Sequence, residues 1–182
     1  DLQRHDLSRL RYMTNTGASL PSEHIVRLRA LLPNVTLHSM YGLTECKRVC
    51  ALPPEQLDRR SDSVGVPLPN QEICLVDEED VAVPLGEVGQ LVVRGSNVMR
   101  GYWQMPEETD RVLRPGPVQG EKVFYTGDLF RQDDEGFLYF VGRVDDVIKS
   151  RGEKVSPREV ENALHNHPAV AEAAVIGVPD EI

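Results

Sequence analysis

Apolar positions change their spacing twice along the chain, and the changes divide it into three stretches. Residues 10–15 form an apolar-rich run that stops at Thr16-Gly17-Ala18, the pattern of a strand entering a tight turn. After Pro21, the residues Ile25, Leu28 and Leu32 recur at helical spacing. Proline suits a first helical turn, and Pro33 closes the pattern. Residues 35–41 read as a second strand, followed by the loop Gly42-Leu43-Thr44-Glu45. Strand, helix and strand with short links make a βαβ-like unit, and ligands in such sheets gather at the carboxyl ends of strands. Both loops, 16–18 and 42–45, fall at such ends.

From residue 61 to 142 the texture becomes one of short β-rich runs, at 72–76, 90–93, 123–126 and 137–141, separated by turn clusters at 77–80 and 133–136. This predicts a small, mostly antiparallel β subdomain. One short helix interrupts it, opened by Pro106 with Glu107 and Glu108 in the first turn, where the helix dipole favours acid. After Arg143 a strand is expected at 147–150, then Ser156-Pro157-Arg158-Glu159. Serine followed three residues later by glutamate is a capping box, so a helix starts there, with Val160, Ala163 and Leu164 toward its core. Residues 170–178 read as the next strand. The expected units are 1–60, 61–144 and 145–182.

Composition narrows the partners. The 182 residues are 40% hydrophobic, and 20 Lys and Arg against 29 Asp and Glu leave a net charge of −9. That balance offers no basic stripe for nucleic acid or an anionic membrane, so an anionic ligand has to be held by local donors or a metal ion. No apolar run reaches the length of a membrane span and no signal-peptide pattern is present, which makes the cytoplasm the expected compartment. Cys46, Cys50 and Cys74 lack a paired spacing and are expected as free, partly buried thiols. His5, His24, His38, His165 and His167 show no spacing for a triad or a metal site. The chain opens at Asp1 without methionine and stops at Ile182 just after a predicted strand, so a fragment of a longer protein is expected.

The sharpest chemical question is Tyr125-Thr126-Gly127-Asp128, at the apparent end of the 123–126 strand. Alone, its aspartate reads equally well as a turn residue bonding its own backbone. It does not stand alone. Thr-Gly-Ala-Ser-Leu-Pro at 16–21, Tyr-Gly-Leu-Thr-Glu at 41–45, Tyr-Thr-Gly-Asp at 125–128 and Gly-Arg-Val-Asp-Asp at 142–146 follow in order, then Ile-Lys-Ser-Arg-Gly-Glu-Lys-Val at 148–155. This series resembles the adenylate-forming enzymes: acyl-CoA synthetases, firefly-type luciferases and nonribosomal peptide adenylation domains. The resemblance covers nearly the whole chain. It implies an α/β fold comprising the end of an N-terminal domain, a βαβ piece plus a small β subdomain, followed by the start of a small α+β C-terminal domain.

Residue roles follow from the resemblance. A ribose offers two neighbouring hydroxyls and a carboxylate can accept both, which makes Asp128 the ribose clamp, with Gly127 letting the backbone come close. Arg143 resembles the arginine that reaches the ribose or phosphate; its alternative is a surface ion pair with Asp145 or Asp146. Tyr41 resembles the ring that stacks on adenine; its alternative is a core tyrosine at a strand end. Gly17 and Ala18 resemble the adenine-side turn, with Thr16 where the family often has a first glycine, and Gly42 belongs to the nucleotide-binding loop. Thr44 is implied at the α-phosphate and Glu45 at Mg²⁺, an ion that favours one or two carboxylates plus water and substrate phosphate. Asp145 matches the hinge of the mobile C-terminal domain. Lys149 and Gly152 match the strand and loop that face the active site in a second conformation, the glycine leaving room for a pantetheine arm. Thr44, Glu45 and Lys149 are thus the catalytic candidates.

The implied reaction joins a carboxylic acid to ATP, releasing pyrophosphate, and passes the acyl group to the thiol of CoA or of a carrier-protein phosphopantetheine. The family's Ser/Thr/Gly-rich phosphate loop with its lysine, and its C-terminal catalytic lysine, are not found here, so this chain alone is expected to be inactive. Tyr-Gly-Leu-Thr-Glu and Ser-Pro-Arg-Glu-Val-Glu resemble acyl-CoA or acyl-carrier ligases more than amino-acid-activating domains, which stay as an alternative. A non-catalytic nucleotide-binding module of the same fold is the second alternative. A purely structural β-rich interaction domain leaves the ordered motifs unexplained.

Overall fold

The computed structural model describes residues 5–17, 20, 22–150, 153–165, 167 and 169–178. Strand β1 (Tyr12–Asn15), helix α1 (Ser22–Leu31) and strand β2 (Thr36–Tyr41) form the expected βαβ unit. β1 and β2 are parallel, with Tyr12 opposite Thr36 and Asn15 opposite Ser39. The helical spacing does what it predicts: Ile25 is 2% exposed and packs with Leu37, Leu52, Leu57 and Phe137. Burying such a side chain contributes about 1.5–3 kcal/mol.

The chain continues through β3 (Cys50–Ala51), β4 (Ser63–Pro67), β5 (Gln71–Val76), β6 (Val88–Gly95), α2 (Pro106–Val112), β7 (Leu113–Pro115), β8 (Lys122–Gln132) and β9 (Leu138–Arg143). These strands pair antiparallel, as the short β-rich runs separated by turn clusters predict for residues 61–142. The sheet order is β1-β2-β3-β4-β9-β8-β6-β5, with β7 also on β8. Its main core gathers Leu91, Val93, Phe124, Phe130 and Leu138 with Cys46, Val49 and Cys50. The last three lie in the loop that leaves β2 and at the start of β3. Their burial anchors that loop on the sheet and fixes where Thr44 and Glu45 stand. The cysteines are free, Cys46 and Cys50 buried and Cys74 exposed.

β8 corrects the sequence reading. The strand expected at 123–126 does not end at Tyr-Thr-Gly-Asp; it runs on to Gln132, and Asp128 lies inside it opposite Arg143. Gly127 takes a φ of +72°, which a glycine adopts without steric cost, so the chain adjusts locally instead of turning. Thr126 helps hold this path. Its hydroxyl donates to the Leu91 carbonyl at 2.8 Å and accepts the Asp128 N–H at 3.1 Å. Phe124, Thr126, Asp128 and Phe130 are consequently buried at alternate positions.

Beyond β9, strands β10 (Ile148–Ser150) and β11 (Glu153–Val155) form an antiparallel pair, followed by helix α3 (Pro157–His165). Ser156 caps α3, accepting the Glu159 N–H on its hydroxyl at 3.4 Å, and donates that hydroxyl to the Val141 carbonyl at 2.9 Å. Two expectations here are overturned. Ala163 and Leu164 are exposed rather than core, with Leu164 at 44%. Residues 170–178 form no strand, because no described strand pairs with them. The apolar run supplies β propensity, and a ladder still needs a neighbouring edge. The Val175 N–H donates to the Glu161 carboxylate instead, at 2.9 Å.

Candidate nucleotide-binding site

The ends of β1 and β2, the 42–48 loop and the facing parts of β8 and β9 enclose a cleft of about 1080 Å³. At its floor, Asp128 is 5% exposed. Its Oδ2 accepts the Tyr41 hydroxyl at 2.6 Å and its Oδ1 accepts Arg143 Nη1 at 2.8 Å. The expected alternative for Arg143, a pair with Asp145 or Asp146, is replaced by this cross-strand pair, which the register of β8 and β9 dictates. Burial pushes the Asp128 carboxyl above its ordinary 3.8, while Tyr41 and Arg143 pull against that rise. Burial, then the Asp128 charge, pushes the Tyr41 hydroxyl far up, so it remains a donor. The Tyr41 ring meets Phe130 edge-on at 4.8 Å, which fixes the other end of the side chain.

The facing loop is built differently. A Cβ on Gly42 would stand 1.7 Å from the Lys47 carbonyl oxygen, so the loop's own backbone demands glycine at 42. The Val49 N–H closes the loop on the Tyr41 carbonyl at 2.8 Å. Thr44 is left exposed and Glu45 half-buried, both on the cleft. Glu45 Oε1 accepts the Tyr102 hydroxyl at 2.7 Å, and burial, with the Glu45 charge, pushes that hydroxyl up to about 12. Among the described residues no three His, Cys, Asp or Glu side chains cluster as a metal cage. One carboxylate beside a hydroxyl is the donor set of an ion such as Mg²⁺ that keeps water and substrate phosphate as its other ligands.

Of the other sequence candidates, Gly17 borders the cleft, whereas Ala18 and Gly152 lie outside the described residues. Asp145 is exposed in the turn after β9, and the first residue of that turn, Val144, donates its N–H to the Gly127 carbonyl at 2.8 Å. Lys149 is in β10 opposite Lys154, its side chain outside what is described. The structure adds Lys47, Arg48, Ser61 and Asp62 to the cleft wall. No spacing in the sequence ties those four, or Tyr102, to the site.

The fold and this cleft have known counterparts. The AMP-binding enzyme family matches residues 1–103, and the AMP-binding enzyme C-terminal domain matches residues 159–182. This chain therefore belongs to the AMP-binding enzymes, the adenylate-forming class. Among curated relatives, a long-chain-fatty-acid–CoA ligase of Escherichia coli is 39% identical over 180 residues, 98% of this chain and 31% of that protein. Among solved structures, the amide bond synthetase McbA from Marinactinospora thermotolerans superposes with a TM-score of 0.86 at 36% identity, over 99% of this chain and 35% of that one. The o-succinylbenzoate CoA synthetase from Bacillus subtilis in complex with ATP and magnesium ion gives 0.81 at 34% identity, over 94% and 34%. The chain spans about a third of the length of the curated relatives it matches.

Proposed function

We propose that this chain is the nucleotide-binding side of an ATP-dependent acid–thiol ligase, which forms an acyl-adenylate with release of pyrophosphate and then transfers the acyl group to CoA. The observation that carries this reading is the convergence of Asp128, Arg143 and Tyr41 with Thr44 and Glu45 on one cleft. A carboxylate has about four acceptor positions, and Tyr41 and Arg143 take two of them. Two remain for the two hydroxyls of a ribose.

Tyr41 borders the adenine position, with Gly17 and Ala18 on the other edge of the base and Gly42 shaping the loop between. Thr44 contacts the α-phosphate and Glu45 holds Mg²⁺. When bound, that ion supplies positive charge where negative charge builds on the phosphate. Asp145 serves as the hinge, and Lys149 and Gly152 face the cleft after the C-terminal unit turns. Supply of ATP and CoA makes the cytoplasm the fitting compartment. A carboxylic acid is the acyl donor, and the name of the E. coli relative makes long-chain fatty acids the first to try.

McbA favours a second reading for the last step, an amine in place of the thiol. Both readings share the adenylate. The test is acid-dependent exchange of labelled pyrophosphate into ATP by the full-length protein, over acetate, medium-chain and long-chain fatty acids, aryl acids and amino acids, with the 182-residue chain as control. Exchange with one acid class by the full-length protein alone is the expected result; CoA or an amine added next identifies the acceptor. AMP binding without exchange for any acid overturns the ligase reading in favour of a non-catalytic nucleotide-binding module.

A further inference from the structure

The segment between β6 and α2 touches the 42–48 loop at three points. The Asn97 side-chain amide donates to the Cys46 carbonyl, the Met99 N–H donates to the Glu45 carbonyl at 2.7 Å, and the Tyr102 hydroxyl donates to Glu45 Oε1 at 2.7 Å. Backbone and side chain of Glu45 are thus held by one strap. The strap is itself anchored. The Tyr102 N–H donates to Thr109 Oγ1 at 2.9 Å, and that hydroxyl donates to the Met105 carbonyl at 2.7 Å. Thr109 is 9% exposed on α2, so Tyr102 is fixed to a helix at its backbone and to Glu45 at its tip.

We propose that Tyr102 is a positioning residue that orients Glu45 for the metal–nucleotide complex, occupying Oε1 so that Oε2 is the oxygen presented to the cation. This rests on the reading of Glu45 as the metal carboxylate. An ion that keeps most of its water and substrate ligands gains affinity from a single protein oxygen only if that oxygen is held in place, and partners of a metal ligand set that placement. Without the hydroxyl, Glu45 loses the partner that fixes its rotamer.

The experiment measures binding rather than turnover. Free Mn²⁺ is followed by electron paramagnetic resonance during titration of the full-length protein with ATP present, and AMP affinity is measured separately in chelator. Tyr102→Phe is expected to weaken Mn²⁺ about 10–100-fold, the cost typical of losing such a partner, with AMP affinity unchanged. Glu45→Gln is the reference. If Glu45→Gln weakens Mn²⁺ and Tyr102→Phe leaves it as in the wild type, the positioning role is overturned and the metal reading stands. If Glu45→Gln leaves Mn²⁺ binding intact, the metal reading itself is lost and this inference with it. Should Tyr102→Phe fail to bind AMP, Thr109→Val takes its place: it removes the acceptor of the Tyr102 N–H and the donor to the Met105 carbonyl, and so frees the strap that carries Tyr102; wild-type Mn²⁺ binding in that variant also overturns the role.

Discussion

The two walls of the cleft are made in opposite ways. On the strand wall, Asp128 is 5% exposed, locked in β8 and satisfied by donors from β2 and β9. On the loop wall, Thr44 is exposed and Glu45 half-buried, its carboxylate accepting the Tyr102 hydroxyl. A ladder of backbone bonds fixes the first wall, whereas the second is a loop closed on Tyr41 by the Val49 N–H and strapped from outside by Asn97, Met99 and Tyr102. The strand wall should therefore govern nucleotide binding with or without metal, Glu45 on the loop wall should matter only when metal is present, and Thr44 should matter wherever the α-phosphate is bound.

The strongest way to break that contrast is Asp128→Ala. It removes two prospective charged hydrogen bonds to ribose, at about 1.5–3 kcal/mol each less what water restores, and so is expected to cost about 2–4 kcal/mol of AMP binding. Calorimetry in chelator checks it, and an undiminished affinity removes Asp128 from the site. Next in size, Glu45→Gln should weaken ATP binding in Mg²⁺ by at least about tenfold, since a direct ligand should matter no less than its outer partners. The same variant should bind AMP in chelator like the wild type. Equal losses in both conditions would put Glu45 on the nucleotide rather than on the metal.

Gly42→Ala probes the loop's construction. Its new methyl would stand 1.7 Å from the Lys47 carbonyl oxygen, an overlap that only a backbone shift relieves. Overpacking of this kind costs about 1–3 kcal/mol, seen as a lower urea midpoint at unchanged slope. Because Thr44 and Glu45 ride on the same loop, metal-dependent ATP binding should fall with it, and metal-free AMP binding should fall less, by the Thr44 contact alone. A wild-type midpoint would mean that the loop relaxes freely and that glycine at 42 serves a bound molecule instead.

The same division separates what the sequence disclosed from what it did not. Local signals carried far: the helical spacing of Ile25 and Leu28 located α1, and the Ser156–Glu159 pattern located the start of α3. The ordered motifs brought Tyr41, Thr44, Glu45, Asp128 and Arg143 to one cleft. What stayed hidden depends on partners distant in the chain. Tyr125-Thr126-Gly127-Asp128 looks like a turn until β6 and β9 hold it as strand, and residues 170–178 look like a strand although no described edge pairs with them. Arg143 had acidic neighbours two and three residues on, yet strand register gives it Asp128. Tyr102 reaches Glu45 across 57 positions, a distance at which spacing says nothing.

The smallest effect tests whether the strand wall is held at a cost to stability. Burial raises the Asp128 carboxyl above its ordinary 3.8 despite two donors, so its surroundings on balance disfavour the charged form. The sign follows: the folded state holds this proton more tightly than the unfolded state does. The unfavourable contribution is therefore fully present above the folded value, shrinks as pH falls through it, and is gone below 3.8. Asp128→Asn keeps an acceptor for the Tyr41 hydroxyl and removes the charge. Its loss of the Arg143 pair matters little, because that guanidinium is 45% exposed and solvent screens it. Thermal unfolding should thus show the asparagine variant slightly more stable than the wild type at pH 7, the two curves converging as pH approaches 4, while AMP affinity falls at every pH. A variant less stable at pH 7, with the gap closing in acid, would instead show Asp128 to be a net stabiliser held by Arg143, and the strand wall to serve the fold as well as binding.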